Sequence, residues 1–376
     1  MAEEFAHITD ESLEKVRRLI GTKLERIQPY LEELTKDAIR HFAEGIGDRN
    51  LLWVDESYAK TTIYGCLIAP PTMLYAFDKY ANGGYAGGLP GVHAMFGGSN
   101  WEWFLPIKVG DRITSKTIFK DLVEKHGAFA GRMFSQISEV NFYNQHNSQL
   151  VARVEPWNLR IERKAAQQRD KYQYLVTESA KYTQKELEHI SNTYEEELKN
   201  LRGKEPRYWE DVKVGEELPA IVRGPLTVTD LILFVAGWGG LWLKSHGRAF
   251  TYHKNHPAAD VPNEQGIPEP AERVHWDDRM ANFAGVPKAY DYGPERVAWL
   301  GTLMTNWIGD RGFLARLYIE VRRFNLLGDT TWCKGKVIDK RIEKEKHIVK
   351  CEVKAEDQRG EVTARGWAEA LLPSRK

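Results

Sequence analysis

The chain has 376 residues, 42% hydrophobic and 28% charged, which excludes a disordered or fibrous protein and leaves room for two ordinary domains with separate cores. Lys plus Arg and Asp plus Glu each number 53, so no net field favours wrapping nucleic acid or adhering to a membrane. The opening MAEEFAHITDESLEKV has neither a basic nor an apolar leader region, and no later run approaches the roughly 18 apolar residues of a membrane span, so a cytoplasmic protein is expected.

In chain order, LTKDAIRHFAEGIGD predicts a helix with Ile39, Phe42, Ala43 and Ile46 on one face. WVDESYA (53–59) follows, then Pro71 and a helical stretch, TMLYAFDKY. The glycine-rich GGYAGGLPGVHAMFGGS (83–99) carries no GK[ST], so it reads as a flexible loop rather than a phosphate cradle. His93 within it is a loop histidine or part of a ligand channel. A Gly110-Asp111 turn leads into three strand patterns, RITSKTIFKDLV, RMFSQISEVNFYN and QLVARVEPWNLRIE. Residues 164–204, rich in Lys, Glu and Gln and free of Pro and Trp, predict a polar helical linker, solvated more readily than partner-binding.

Beyond the linker the order recurs, and the repeat is the central observation. LTVTDLILFVAGWGG predicts a helix like the first, HWDDRMA (275–281) matches WVDESYA, and Gly293 falls opposite Pro71. PERVAWLGTLMTNW then places Val297, Leu300, Gly301, Met304 and Ile308 at buried-helix spacing. A Gly328-Asp329 turn precedes TTWCKGKVIDK, HIVKCEVKAED and EVTARGWAEALL. Short turns at 144–148 and 357–360 make the strands antiparallel neighbours. The expected fold class is α+β, each copy a long central helix wrapped by an antiparallel sheet, with the two sheets able to run on as one. The boundaries are 21–163, a linker over 164–205, and 206–373.

Cys66, Cys333 and Cys351 show no CxxC spacing, which argues against a disulfide framework or a cysteine zinc site. His246, His253 and His256 with Asp260 lack a recognised ligand frame, so no metal is expected. Of the 12 tryptophans, Trp101, Trp103, Trp238, Trp242, Trp276 and Trp299 are either core fillers or a wall for a bulky acyl group.

At these residues the chain resembles the MaoC-like acyl-CoA dehydratase and hydratase family, in its double-hotdog form, over nearly everything outside the linker and the extreme amino terminus. The family's reaction motif is D-x-N-P-x-H, with a later glycine opening the hotdog helix. The first copy keeps Asp48 and Asn50 but has Leu51 for the proline and Trp53 for the histidine; the second keeps His275 but has Pro270 for the aspartate. The resemblance implies reversible hydration of an enoyl-CoA or dehydration of a 3-hydroxyacyl-CoA, with a base, a proton donor and donors to the thioester oxygen. His275 would transfer the proton and the Gly293 N–H would hold the oxyanion. Indole cannot exchange protons and proline has no N–H, so Trp53 and Pro71 leave the first copy as a degenerate binding and scaffolding hotdog.

The partner carboxylate stays open among Glu269, Glu272 and Asp291, the last equally a cap for the helix starting near Gly293. Arg322 and Arg323 are candidates for the coenzyme A phosphates. No cofactor is implied beyond coenzyme A as part of the substrate, and no nucleic acid or membrane partner. A homodimer of double-hotdog protomers is the assembly allowed. Thioesterase action, or acyl-CoA binding without catalysis as a partner subunit, are the alternative readings.

Overall fold

The computed structural model describes residues 7–89, 92–127, 131–162, 180–241, 243–256 and 260–376. The first half contributes strands β1 (Lys23–Leu24), β2 (His93–Trp103), β3 (Ile113–Gly127), β4 (Gly131–Asn144) and β5 (Leu150–Ile161). The second contributes β6 (Glu217–Arg223), a small ribbon of β7 (Asp260–Pro262) and β8 (Pro268–Pro270), then β9 (Phe313–Val321), β10 (Thr331–Glu343), β11 (Lys346–Asp357) and β12 (Val362–Leu371). All but the ribbon form a ten-stranded sheet in the order β1-β3-β4-β5-β2-β9-β12-β11-β10-β6. The halves join where β2 pairs antiparallel with β9, Trp101 opposite Leu317, which is the continuous sheet the repeat anticipates. The six strand patterns read from alternation all lie on strands. The stretch read as a loop over 83–99 is not all loop, because its end from His93 onward belongs to β2.

The labelled helices are α1 (Asp10–Arg17), α2 (Lys36–Gly45), α3 (Gln184–Asn200), α4 (Val228–Trp238), α5 (His246–Asn255) and α6 (Gly293–Ile308). Helix α6 is the long central helix of the second copy, and every side chain from Pro294 to Ile308 is buried. Its apolar residues pack in the core, and its polar ones, Glu295, Arg296, Thr302, Thr305 and Asn306, are buried with them. The α2 face read from the sequence, Ile39, Phe42, Ala43 and Ile46, is buried as well.

The first copy departs from expectation, because its central helix is short. Pro71–Phe77 is a 3-10 helix with Thr72 to Phe77 all buried, and a second 3-10 turn spans Lys79–Asn82. Asp78 breaks the run by taking an extended backbone, and its carboxylate accepts the Tyr80 N–H to start the next turn. Gly83, at φ +128°, ends it.

The linker is more than a solvated connector. Helix α3 opens with a Thr183–Glu186 capping box and docks against β6, burying Glu197 against Arg223 at 2.9 Å. Residues 164–179 of the linker lie outside the described residues. The inserted segment holds α5 and the ribbon, where His253 pairs with Asp260. Among the described residues no group of His, Cys, Asp and Glu is arranged to hold a metal ion, and no helix is long and apolar enough to cross a membrane.

Candidate active site

A cavity of about 690 Å³ lies between the halves. The first half supplies Lys79, Tyr80, Tyr85, His93 and Phe96; the second supplies Trp238, Glu272, His275, Gly293 and Arg323. The shortened central helix puts Lys79 and Tyr80 in this wall.

His275 ends a 3-10 turn, Ala271–His275, and is partly exposed to the cavity. A carbonyl can only accept, so the 2.8 Å contact between Nδ1 and the Tyr290 carbonyl fixes the proton on Nδ1. Nε2 is thereby left as a lone-pair acceptor. The ring lies on Tyr292, with centroids 3.7 Å apart, and edge-on to Tyr290 at 4.9 Å. Burial pushes the pKa down from 6.5 to about 4, with the Tyr290 carbonyl opposing and Arg296 adding to the fall. At neutral pH the imidazole is uncharged and can accept a proton.

Gly293 opens α6. Its N–H belongs to the first turn, which has no intrahelical acceptor, and Pro294 beside it has none to offer. The dipole of the 16-residue helix adds partial positive charge at the same point. A side chain added there would force a shift: a Cβ on Gly293 would lie 2.3 Å from Cδ1 of Phe96 on β2. The glycine keeps backbone, cavity and neighbouring strand in close approach.

The three candidate carboxylates have different fates. Glu269 pairs with Arg273 at 2.7 Å on the ribbon and does not belong to the cavity lining. Asp291 is buried and lines the cavity, but it does not cap α6. The N-cap is Tyr292, and the Asp291 carboxylate meets Arg296 Nε at 2.7 Å and accepts Asn325 Nδ2 at 3.1 Å. Burial pushes its pKa up to about 7 despite Arg296. Glu272 is 9% exposed, lines the cavity, and its Oε1 accepts the Leu241 N–H at 2.9 Å and the Tyr292 hydroxyl at 3.1 Å. Through Tyr292 it is one aromatic ring away from His275.

A model of the FAS1-like dehydratase domain region matches residues 18–153. The chain is 32% identical over 99 residues to a UPF0336 protein of Streptomyces avermitilis, covering 25% of this chain and 65% of that one. It is 30% identical over 110 residues to a UPF0336 protein of Thermobifida fusca, covering 28% of this chain and 71% of that one. The chain thus spans under two thirds of the Streptomyces relative. Among solved structures, a MaoC-like dehydratase superposes with a TM-score of 0.65 at 16% identity, over 96% of this chain and 99% of that one. A double-hotdog protein of Mycobacterium tuberculosis gives 0.55 at 11%, over 94% and 96%. A MaoC-like dehydratase from Phytophthora capsici gives 0.52 at 11%, over 96% and 98%. The chain belongs to the UPF0336 family, and its fold is the double hotdog of the MaoC-like dehydratases.

In this double hotdog the first copy has its own, much smaller space. A cavity of about 40 Å³ is lined by Asn50, Trp53 and Pro71 with Trp103, Ile308 and Phe313. The remnants of the motif have become structural: Asp48 accepts the Thr302 hydroxyl at 2.9 Å and the Asn50 N–H at 3.0 Å, and Asn50 accepts the Leu52 N–H at 3.0 Å. Trp53 is 3% exposed and occupies the histidine position as packing.

Of the six singled-out tryptophans, Trp238 alone is shown on the large cavity's wall. Trp101 and Trp103 stack on each other in the core, Trp299 is buried in α6 and Trp276 is 37% exposed. Trp242 lies outside the described residues. Periodicity finds indoles but not which face meets a void. Three described residues of the glycine-rich stretch are held in place: buried Arg160 donates to the carbonyls of Ala86, Leu89 and Val92. His93 lines the cavity, as do Arg322 and Arg323, which also face Glu320 and Glu361 at 3.5 and 3.2 Å. Lys79, Tyr290, Tyr292 and Arg296 escape the sequence reading. The AYDYG turn drew notice only for Asp291, although its two tyrosines flank that residue at the spacing that brackets His275.

Proposed function

We propose that this protein is a hydro-lyase that adds water to a 2-enoyl thioester, or removes it from a 3-hydroxyacyl thioester, in the cavity of the second copy. The observation that carries this is the pairing, in one 690 Å³ cavity, of an uncharged histidine with an acceptor Nε2 and the amino end of α6 at Gly293. In hydration, Nε2 takes one proton from water as the water oxygen bonds to Cβ. The C=C electron pair moves onto the thioester oxygen, held by the Gly293 N–H and the helix dipole. The enolate then collapses and Cα takes the proton from His275, so one water hydrogen ends on Cα and the other stays on the new hydroxyl. The Tyr290 carbonyl, receiving Nδ1–H, supports the imidazolium formed between these steps.

Coenzyme A enters as part of the substrate, with Arg322 and Arg323 at the cavity as the groups suited to its phosphates. No other cofactor and no metal is invoked. The MaoC-like name of the structural neighbours and the FAS1-like dehydratase match in the first half support the class of reaction. Incubating purified protein with a chain-length panel of 2-enoyl-CoA esters tests it. Loss of the enoyl absorbance with formation of 3-hydroxyacyl-CoA is expected; release of free thiol would mean a thioesterase, and tight binding without turnover a non-catalytic subunit.

A further inference from the structure

Lys79 belongs to the half that has lost the chemistry, yet it lines the cavity beside the machinery of the other half. Its Nζ donates to the carbonyls of Gly239 and Gly240, the turn that ends α4. A helix carboxyl end carries partial negative charge, so this turn attracts a cation. The next residue, Leu241, turns its N–H the other way, to Glu272. The Trp238–Leu241 turn is therefore an adaptor with carbonyls toward Lys79 and an N–H toward Glu272. It has no room for change: Gly239 and Gly240 have φ of +88° and +61°, a Cβ on Gly240 would lie 3.1 Å from Glu272 Oε1, and one on Gly239 would lie 2.1 Å from Tyr30. A nearly buried carboxylate needs a counter-charge and donors, and here it has both. Burial lowers the Lys79 pKa to about 8, with Glu272 holding it up and Lys244 pressing it down.

We propose that Glu272 is the carboxylate arm of the active site, in place of the aspartate whose position Pro270 occupies, and that Lys79 of the first half and Tyr292 are its positioning residues. The proposal rests on the hydro-lyase reading above and adds the group missing from it. In the hydration step Glu272 accepts the water O–H that is not transferred. The water is then held by two acceptors, His275 Nε2 and the carboxylate, with its oxygen lone pair toward Cβ. That O–H stays intact and ends as the product hydroxyl, so Glu272 finishes as it began. Lys79, through the shared turn and its charge, holds the Glu272 carboxylate in place, and the Tyr292 hydroxyl fixes its distance from the imidazole. The degenerate copy thus supplies a charged part of the working site as well as a wall.

The test compares kcat and KM for a 2-enoyl-CoA ester in the full-length wild type and in Glu272→Gln, Lys79→Met, Lys79→Arg and Tyr292→Phe, with Tm measured for each. Glu272→Gln keeps the shape and should lower kcat about 100-fold with KM within about threefold, because water activation is lost and substrate contacts are not. Lys79→Met should lower kcat about tenfold, and Lys79→Arg should recover most of it, which a purely structural lysine would not require. If Glu272→Gln does not fold, Tyr292→Phe decides: an about tenfold lower kcat at unchanged Tm supports the proposal, and full activity overturns it. An active wild type with an equally active Glu272→Gln overturns this proposal alone. A wild type that hydrates no enoyl-CoA removes the hydro-lyase reading and this one with it.

Discussion

The two copies keep the same frame and differ in what sits at two matched positions. In the second copy His275 and Gly293 border a cavity of about 690 Å³; in the first, Trp53 and Pro71 border one of about 40 Å³. Chemistry and space have gone together. An indole at the histidine position cannot exchange a proton and fills the volume a ligand would need, while a proline at the helix start removes the donor. Asp48 and Asn50, carboxylate and amide of the ancestral motif, now close hydrogen bonds within the core. The first copy has no long central helix, and of the 3-10 turns in its place the second, Lys79–Asn82, lines the other copy's cavity.

The comparison breaks most easily at His275. His275→Ala should reduce kcat/KM about 1000-fold for any substrate the wild type hydrates, with little change in fold; retained activity would move the reaction elsewhere. Next in size is Gly293→Ala. Alanine keeps the N–H, but its Cβ meets Phe96, so hydration should fall about 10- to 100-fold by displacement of the helix end. Phe96→Ala in the same chain should recover about tenfold, and failure to recover would mean the defect is not this contact.

The pH dependence sharpens the assignment of the imidazole. The His275 pKa is lower folded than unfolded, so its contribution to stability is fully present above about 6.5 and is lost as pH falls toward about 4. The size is at most about 3 kcal/mol, since the ring is partly open to the cavity. Asp291 acts in the opposite sense: its raised pKa contributes stability that is present at low pH and lost as pH rises through about 7. The readout is therefore the difference in unfolding free energy between wild type and His275→Gln, which should shrink from pH 7 to pH 4; a constant difference would mean the imidazole is not depressed. The smallest effect is expected in the first copy. Trp53→His in a His275→Ala background should restore less than twofold activity, because Pro71 still offers no N–H; measurable hydration there would show that the first pocket needs only its base.

Legibility from the sequence followed the range of the cause. Alternation in RMFSQISEVNFYN and the spacing in PERVAWLGTLMTNW are set by neighbours a few residues apart, and both elements are present. The length expected of the first central helix failed because TMLYAFDKY is apolar enough for a helix, and propensity does not reveal that Asp78 will cap a new turn. Glu269, Glu272 and Asp291 were indistinguishable as carboxylates near His275. Only packing sent the first to Arg273, tied the third to Arg296 and left the second on Tyr292.

The sequence by itself determined the tandem repeat, the antiparallel α+β hotdog plan, and the unequal chemical equipment of the two copies. These follow from periodicity and from what indole, proline, imidazole and glycine can do in any surroundings. The tertiary structure alone decided that the Tyr290 carbonyl sets the imidazole tautomer, that Phe96 enforces glycine at 293, and that Lys79 stands near Glu272. Each joins groups that only the folded sheet and its helices bring together, and burial then fixes their protonation and partners.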